Sequence, residues 1–184
     1  MIYPVTIIGH PTLRKRAEEI TKDYPDLENI INNMYDTMYD SDGVGLAAPQ
    51  INKSIRLMVI DGAPMAEDDP SLEGFKQTFI NPEILEHKGE EFLFNEGCLS
   101  IPGIREDISR PSEILIRYMD EDFIEHEEWF DGVKARILQH EYDHLEGILF
   151  TDRVSPLRKK ILKGKLVAIS KGKFTAQYKT LITK

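Results

Sequence analysis

The sequence predicts an α+β fold, with mixed or antiparallel β-sheets packed around a central helix that carries an H-E-x-x-H motif. Two observations carry this prediction. Runs rich in β-branched and aromatic residues gather between residues 55 and 129, and helical patterns lie before and after them. A doubly wound parallel sheet would instead alternate strands with helices. In addition, 184 residues with 41% hydrophobic content match one domain with a real core. A single domain spanning 1–184 is expected, with a basic C-terminal segment from about 153–184.

Taken in order, Leu27, Ile30, Ile31, Met34 and Met38 recur at helical spacing and predict a helix over 26–39. The next stretch, SDGVGLAAPQ, places Gly43, Gly45 and Ala48 in a G-x-G-x-x-A arrangement with Asp61 further on, which imitates a dinucleotide fingerprint. The imitation fails on context, because a helix rather than a strand precedes Gly43 and Pro49 would disrupt the helix that must follow. An extended glycine loop, open to close backbone approach and ending in the amide of Gln50, fits better. Strands are expected at 55–61, 79–81, 83–94, 113–120 and 123–129. Between them, 61–77 carries Pro, Gly and acid without periodicity and reads as a surface loop. The motif helix begins near 131, and a last helix over 156–170 gives way to an extended end.

Within QHEYDHLEG, His140 and His144 stand four residues apart. A helix puts both imidazoles on one face about a turn apart, where they can grip one metal ion while Glu141 reaches water activated there. The bland alternative is a solvated helix face. A third ligand is hard to find downstream: no histidine follows His144, and Glu146 and Asp152 lie too close to suggest a separate ligand-bearing segment. Upstream, the only cysteine, Cys98, sits in NEGCLSIPG beside Gly97, Pro102 and Gly103. A lone cysteine is commonly a small buried hydrophobe, but beside H-E-x-x-H it becomes the better ligand candidate. One thiolate and two imidazoles would leave a fourth position open, the layout of a catalytic site.

GVGLAAPQ, EGCLS and QHEYDHLEG, in that order, resemble the three motifs of the peptide deformylase family, and IGHPTLRKRAEEI resembles its opening segment. The resemblance runs from about residue 4 to 156. It implies that Cys98, His140 and His144 bind the metal, that Glu141 is the general acid/base, and that Gln50 and the Leu99 N–H stabilise the oxyanion. It further implies ferrous iron as the natural metal, with zinc, nickel or cobalt as substitutes, and N-formylmethionyl peptides as substrates that release formate. Two other readings stand behind it: a zinc endopeptidase, and a non-catalytic metal-stabilised module that binds RNA or the ribosome.

Val133 and Ile137 continue the stripe of His140 and His144 along the motif helix. With Val44 and Leu99 opposite, the stripe would line a methionine-sized pocket, or else belong to the core. Gly45 is placed to hydrogen-bond a peptide main chain. Glu96 and Arg105 are expected to pair beside the pocket.

The charge is uneven. Of 23 basic residues, ten fall within 153–184, which has no acid, whereas all 32 acidic residues lie before it. Such a segment is a solvated end or an electrostatic foothold on RNA, and in the resembled family it is associated with ribosome docking. Gly164, Gly172 and the β-leaning end predict a short helix and then an extended piece. One cysteine excludes an intrachain disulfide. MIYPVTIIGHP lacks the basic flank and apolar core of a signal peptide, and no apolar run reaches membrane-spanning length. A cytoplasmic monomer is expected, and the Asn52-Lys53-Ser54 sequon is then a chance match.

Overall fold

The computed structural model describes residues 1–183; Lys184, the last residue of the basic segment, lies outside the described residues. The chain forms β1 (Val5–Thr6), α1 (Leu27–Asp40), β2 (Gly45–Ala47), β3 (Leu57–Asp61), β4 (Lys76–Cys98), β5 (Ile101–Met119) and β6 (Glu125–Asp131). There follow α2 (Gly132–Leu145), α3 (Pro156–Ser170) and β7 (Thr180–Leu181), with short 3-10 turns between several elements. Strands β2 to β6 make one antiparallel sheet in sequence order, and β1 pairs with β7 in parallel. The α+β expectation holds.

The sheet is buried on both faces where β3 runs. Leu57 and Val59 face α1, packing with Ile30, Ile31, Met34 and Met38. Met58 and Ile60 face the other way, toward Ala135, Leu138 and Leu145 of α2. Because side chains alternate across a strand, an all-apolar LMVI run is what such a position requires. A third apolar cluster joins Ile7 and Leu13 to Ile101, Ile104 and Ile108 of β5 and to Leu162 and Ile169 of α3. The basic segment is therefore docked on the body rather than trailing from it. Its helix has the predicted bounds, with Pro156 in the first turn and the Ser155 hydroxyl accepting from the Arg158 N–H at 3.3 Å.

Four strand expectations need correction. The runs at 79–81 and 83–94 are one strand, β4, whose pairing slips between Ile80 and Glu83. Pro82 reads as a strand breaker, but the chain absorbs it in a bulge. Asn81 turns to φ 49° there, and its side chain bonds Ile20 N–H and C=O at 2.9 and 2.8 Å. Strand β5 starts at Ile101, not 113. Its buried positions alternate cleanly from Ile104 to Arg110, but they include Glu106 and Arg110, so the apolar alternation that marks a strand is interrupted by charge. The last of the expected strands is Glu125–Asp131, shifted from 123–129, because Phe123 sits in a turn at φ 61°. The 61–77 loop is pinned by buried Leu72 and Phe75, and its final residues already belong to β4.

Candidate metal centre

The site forms where α2 passes beneath the β4–β5 hairpin. Cys98 ends β4 and Leu99 and Ser100 make the tight turn, while Pro102 and Gly103 lie in β5. One ligand atom from each of Cys98, His140 and His144 lies within 4.8 Å of the other two. The Cys98 Sγ is 3.3 Å from His144 Nε2. Residues 46 positions apart in sequence thus meet because a hairpin tip and a helix face are packed together.

Charged side chains support this cluster from behind. His140 Nδ1 lies 2.9 Å from Glu96 Oε2, which fixes the ring and leaves Nε2 for an ion. Glu96 accepts from Arg110 Nε and Nη2 at 2.7 and 3.0 Å and from Arg136 Nη1 at 3.1 Å. Arg110 also reaches Asp143 at 2.7 Å, and Arg153 grips the same carboxylate twice at 2.6 Å. Glu96, Arg110, Arg136 and Asp143 are all buried. Burial alone would raise the Glu96 carboxyl, but its hydrogen bonds to His140 and Arg110 outweigh that and hold it at about 2. A permanent carboxylate behind His140 follows. His144 has no such partner on Nδ1 among the described residues, and burial drives its pKa well down, which keeps the ring neutral as ligation requires.

Glu141, next to His140 on α2, is buried with Oε2 unpaired among the described residues, and burial pushes its pKa up to about 7. Facing it, Gly45 comes so close that a Cβ there would lie 2.6 Å from Glu141 Oε1, so the glycine is required by contact. Gln50 is oriented at both ends: Oε1 accepts from the Ala47 N–H at 2.8 Å, and Nε2 points to Ser100 Oγ at 3.3 Å and Cys98 Sγ at 3.6 Å.

A cleft of about 870 Å³ opens over these groups, lined among others by Val44, Gly45, Gln50, Glu96, Leu99, Arg105, Ile137 and Glu141. Val133 is not among them. It lies one turn before Ile137 and packs into the apolar cluster beneath the sheet. The expected Glu96–Arg105 pair does not form. Arg105 bonds Asn95 Oδ1 and O at 2.8 and 2.7 Å, while Glu96 points inward to Arg110 and His140. Adjacent residues of a strand face opposite sides, and it is Gly97, not Glu96, that is opposite Arg105. Sequence reasoning missed Arg110, Arg136, Asp143 and Ser100, as well as Met65 from the 61–77 loop and residues 175–178 of the tail, which also line the cleft. Asp143 lies next to a candidate ligand, which was its only signal.

Residues 2–160 match the model of the polypeptide deformylase family. A peptide deformylase of Christiangramia forsetii is 52% identical over 97% of this chain and 95% of that protein, and one of Flavobacterium johnsoniae is 50% identical over the same shares. Among solved structures, a peptide deformylase from Legionella pneumophila superposes with a TM-score of 0.80 at 37% identity, covering 93% of this chain and 96% of that one. The enzyme from Thermotoga maritima gives 0.76 at 42% identity, covering 85% and 99%.

Proposed function

Because the chain belongs to the polypeptide deformylase family, enzymes that remove the N-formyl group from nascent peptides, we propose that Cys98, His140 and His144 hold its metal ion and that Glu141, Gln50 and the Leu99 N–H perform the hydrolysis. The observation that carries this reading is the convergence of one thiol and two imidazoles within 4.8 Å, with a buried carboxylate beside them whose Oε2 is unpaired among the described residues. That donor set suits a borderline divalent cation. Of the candidates, ferrous iron is the metal we assign, with zinc, nickel or cobalt able to replace it. An endopeptidase of this motif takes its third ligand downstream, whereas here Cys98, upstream, completes the set. A bare binding module has no use for Glu141 and Gln50 beside that set.

When bound, such an ion lowers the pKa of water from about 15.7 to roughly 7 and polarises a carbonyl. Glu141, buried next to His140, takes a proton from the attacking water and returns it to the departing nitrogen. Gln50 Nε2 and the Leu99 N–H supply donors for the charge developing on the formyl oxygen. The products are formate and a free methionine amine.

Strand β2 supports how the peptide is held. It is the edge of the sheet. The Asp61 N–H donates to Val44 O at 3.0 Å, and Gly45 is opposite Ile60. In an antiparallel ladder this turns the N–H and C=O of Gly45 to the free edge, where a peptide main chain can pair with them. Ile137, Val44 and Leu99 then offer an apolar wall for a methionine side chain.

The test is an assay of anaerobically purified, metal-analysed protein. Formate should be released from formyl-methionyl peptides, and acetyl-methionyl and internal peptide substrates should stay intact; cleavage of internal peptides would overturn the substrate assignment. Peroxide should inactivate the iron form faster than the nickel or cobalt forms, by oxidising the metal and then the accessible thiolate. Equal decay of all forms would remove iron from the proposal.

Among the described residues no helix is long and apolar enough to cross a membrane. We read residues 1–184 as one catalytic domain acting as a cytoplasmic monomer, with the basic surface of α3 and the turn after it as a ribosome foothold. Two of its cations are engaged inward, Arg158 with Glu106 and Lys165 with Gly103 O, so the free candidates are exposed ones. Changing Lys159, Lys163, Lys171 and Lys173 to Gln should spare activity and stability but weaken ribosome binding and flatten its salt dependence, since fewer counterions are released. Unchanged affinity at low salt would make the segment scaffold only.

A further inference from the structure

We propose that the C-terminal tail belongs to the catalytic machinery and that Tyr178 is a positioning residue for the turn that follows Cys98 and carries the Leu99 N–H. This rests on the ligand and oxyanion roles assigned above. After α3 the chain runs back to the cleft, where residues 175–178 form part of the wall. It is anchored just beyond that wall by the β1–β7 pairing, with the Val5 N–H donating to Lys179 O at 2.8 Å and the Ile7 N–H to Leu181 O at 2.9 Å. The Tyr178 hydroxyl, beside this anchor, donates to Leu99 O at 2.7 Å. These residues lie beyond 2–160, the stretch matched by the family model.

The bond acts on a place where small errors matter. Leu99 and Ser100 are the whole turn between two long strands, and the residues at issue are the last of β4 and the first of that turn. The turn is held at three points. Ser100 O accepts from the Ile8 N–H at 2.9 Å, Ser100 Oγ is met by Gln50 Nε2, and Leu99 O is held by Tyr178. The first two restrain the far side of the turn, and among the described residues Tyr178 is the one whose side chain bonds the carbonyl of the residue whose N–H is assigned to the oxyanion. Misplacing a reacting geometry by about 1 Å costs on the order of 100-fold in rate. One ordinary hydrogen bond, lost without collapse of the turn, costs about five-fold.

Tyr178→Phe keeps the ring in the wall and removes only the hydroxyl. In the nickel-loaded full chain, on a formyl-methionyl tripeptide, kcat should fall about five-fold while KM stays within about two-fold and metal content is unchanged, because the N–H it aims acts in the transition state. The thiolate-to-metal absorption of the cobalt form should shift, as the adjoining ligand turn relaxes. A residue that merely packs would move the thermal midpoint alone, and an unchanged kcat or a change confined to KM overturns the proposal. Gln50→Ala serves as reference, with an expected loss of roughly 100-fold. If Gln50→Ala is silent, the oxyanion assignment itself has failed; if it loses activity and Tyr178→Phe does not, only the role of the tail falls.

Discussion

Glu141→Ala should retain its metal and lose at least ~100-fold in kcat, the lower end of what a positioned acid/base group contributes. Glu141 sits next to one proposed ligand and three residues before the other, yet it is not needed to complete the set of three donors, so metal content should separate from rate. Stability provides a second, independent readout. The carboxylate is buried with one oxygen unpaired, and a buried charge without partners costs the fold. The metal-free variant should therefore be at least as stable as wild type. Burial raises this carboxyl from its ordinary value of 4.5 to about 7. The stability this gives the folded apoprotein is fully present below about 4.5 and is lost as pH rises through about 7. The variant should lack that part of the pH dependence. Glu141→Gln, which preserves the shape packed against Gly45, should lose as much rate as Glu141→Ala. Retained turnover in either variant, with metal bound, would remove Glu141 from the chemistry.

What could be read from the chain alone depended on whether a physical signal was local. The His140–His144 spacing needs only the helix period, and α2 places the two rings 5.3 Å apart, centroid to centroid. Cys98 was reached by elimination, since sequence holds no trace of the packing that brings a hairpin tip to a helix whose His144 lies 46 residues later. The support behind the proposed ligands was illegible for a different reason. Glu96, Arg110 and Arg136 are charged residues on buried faces, where a sequence reading puts apolar ones. They are tolerated because each is bonded to another member of the group. Inward charges of the same kind, Glu106 and Arg110, hid the first 12 residues of β5. The tail shows a third limit. Its excess of cations is obvious, but whether a basic helix floats or docks depends on Leu162 and Ile169 finding a surface, and its return to the cleft depends on two residues pairing with β1.

Cys98→Ala should abolish activity by losing the metal rather than by unfolding the chain. Two readings of this residue make opposite predictions. As a small, partly buried hydrophobe at the edge of the α3 cluster, its truncation would cost about 1 kcal/mol and leave metal content alone. As a ligand, its loss leaves two imidazoles, and metal should leave on dialysis against a mild chelator. Geometry favours the second reading, since the Sγ lies 3.3 Å from His144 Nε2 and receives the Gln50 amide, polar contacts that packing against the cluster does not require. Thermal midpoints measured with and without added metal separate the two. A ligand bound only by the folded state stabilises it by about 2.7 kcal/mol at 100 times its Kd, so the wild-type midpoint should climb with nickel or cobalt while that of Cys98→Ala should barely move. The two apoproteins should melt within a few degrees of each other, because only one sulfur atom's contacts differ. Unchanged metal content and an unchanged metal-induced rise in the variant would return Cys98 to the core and leave the two histidines in need of another partner.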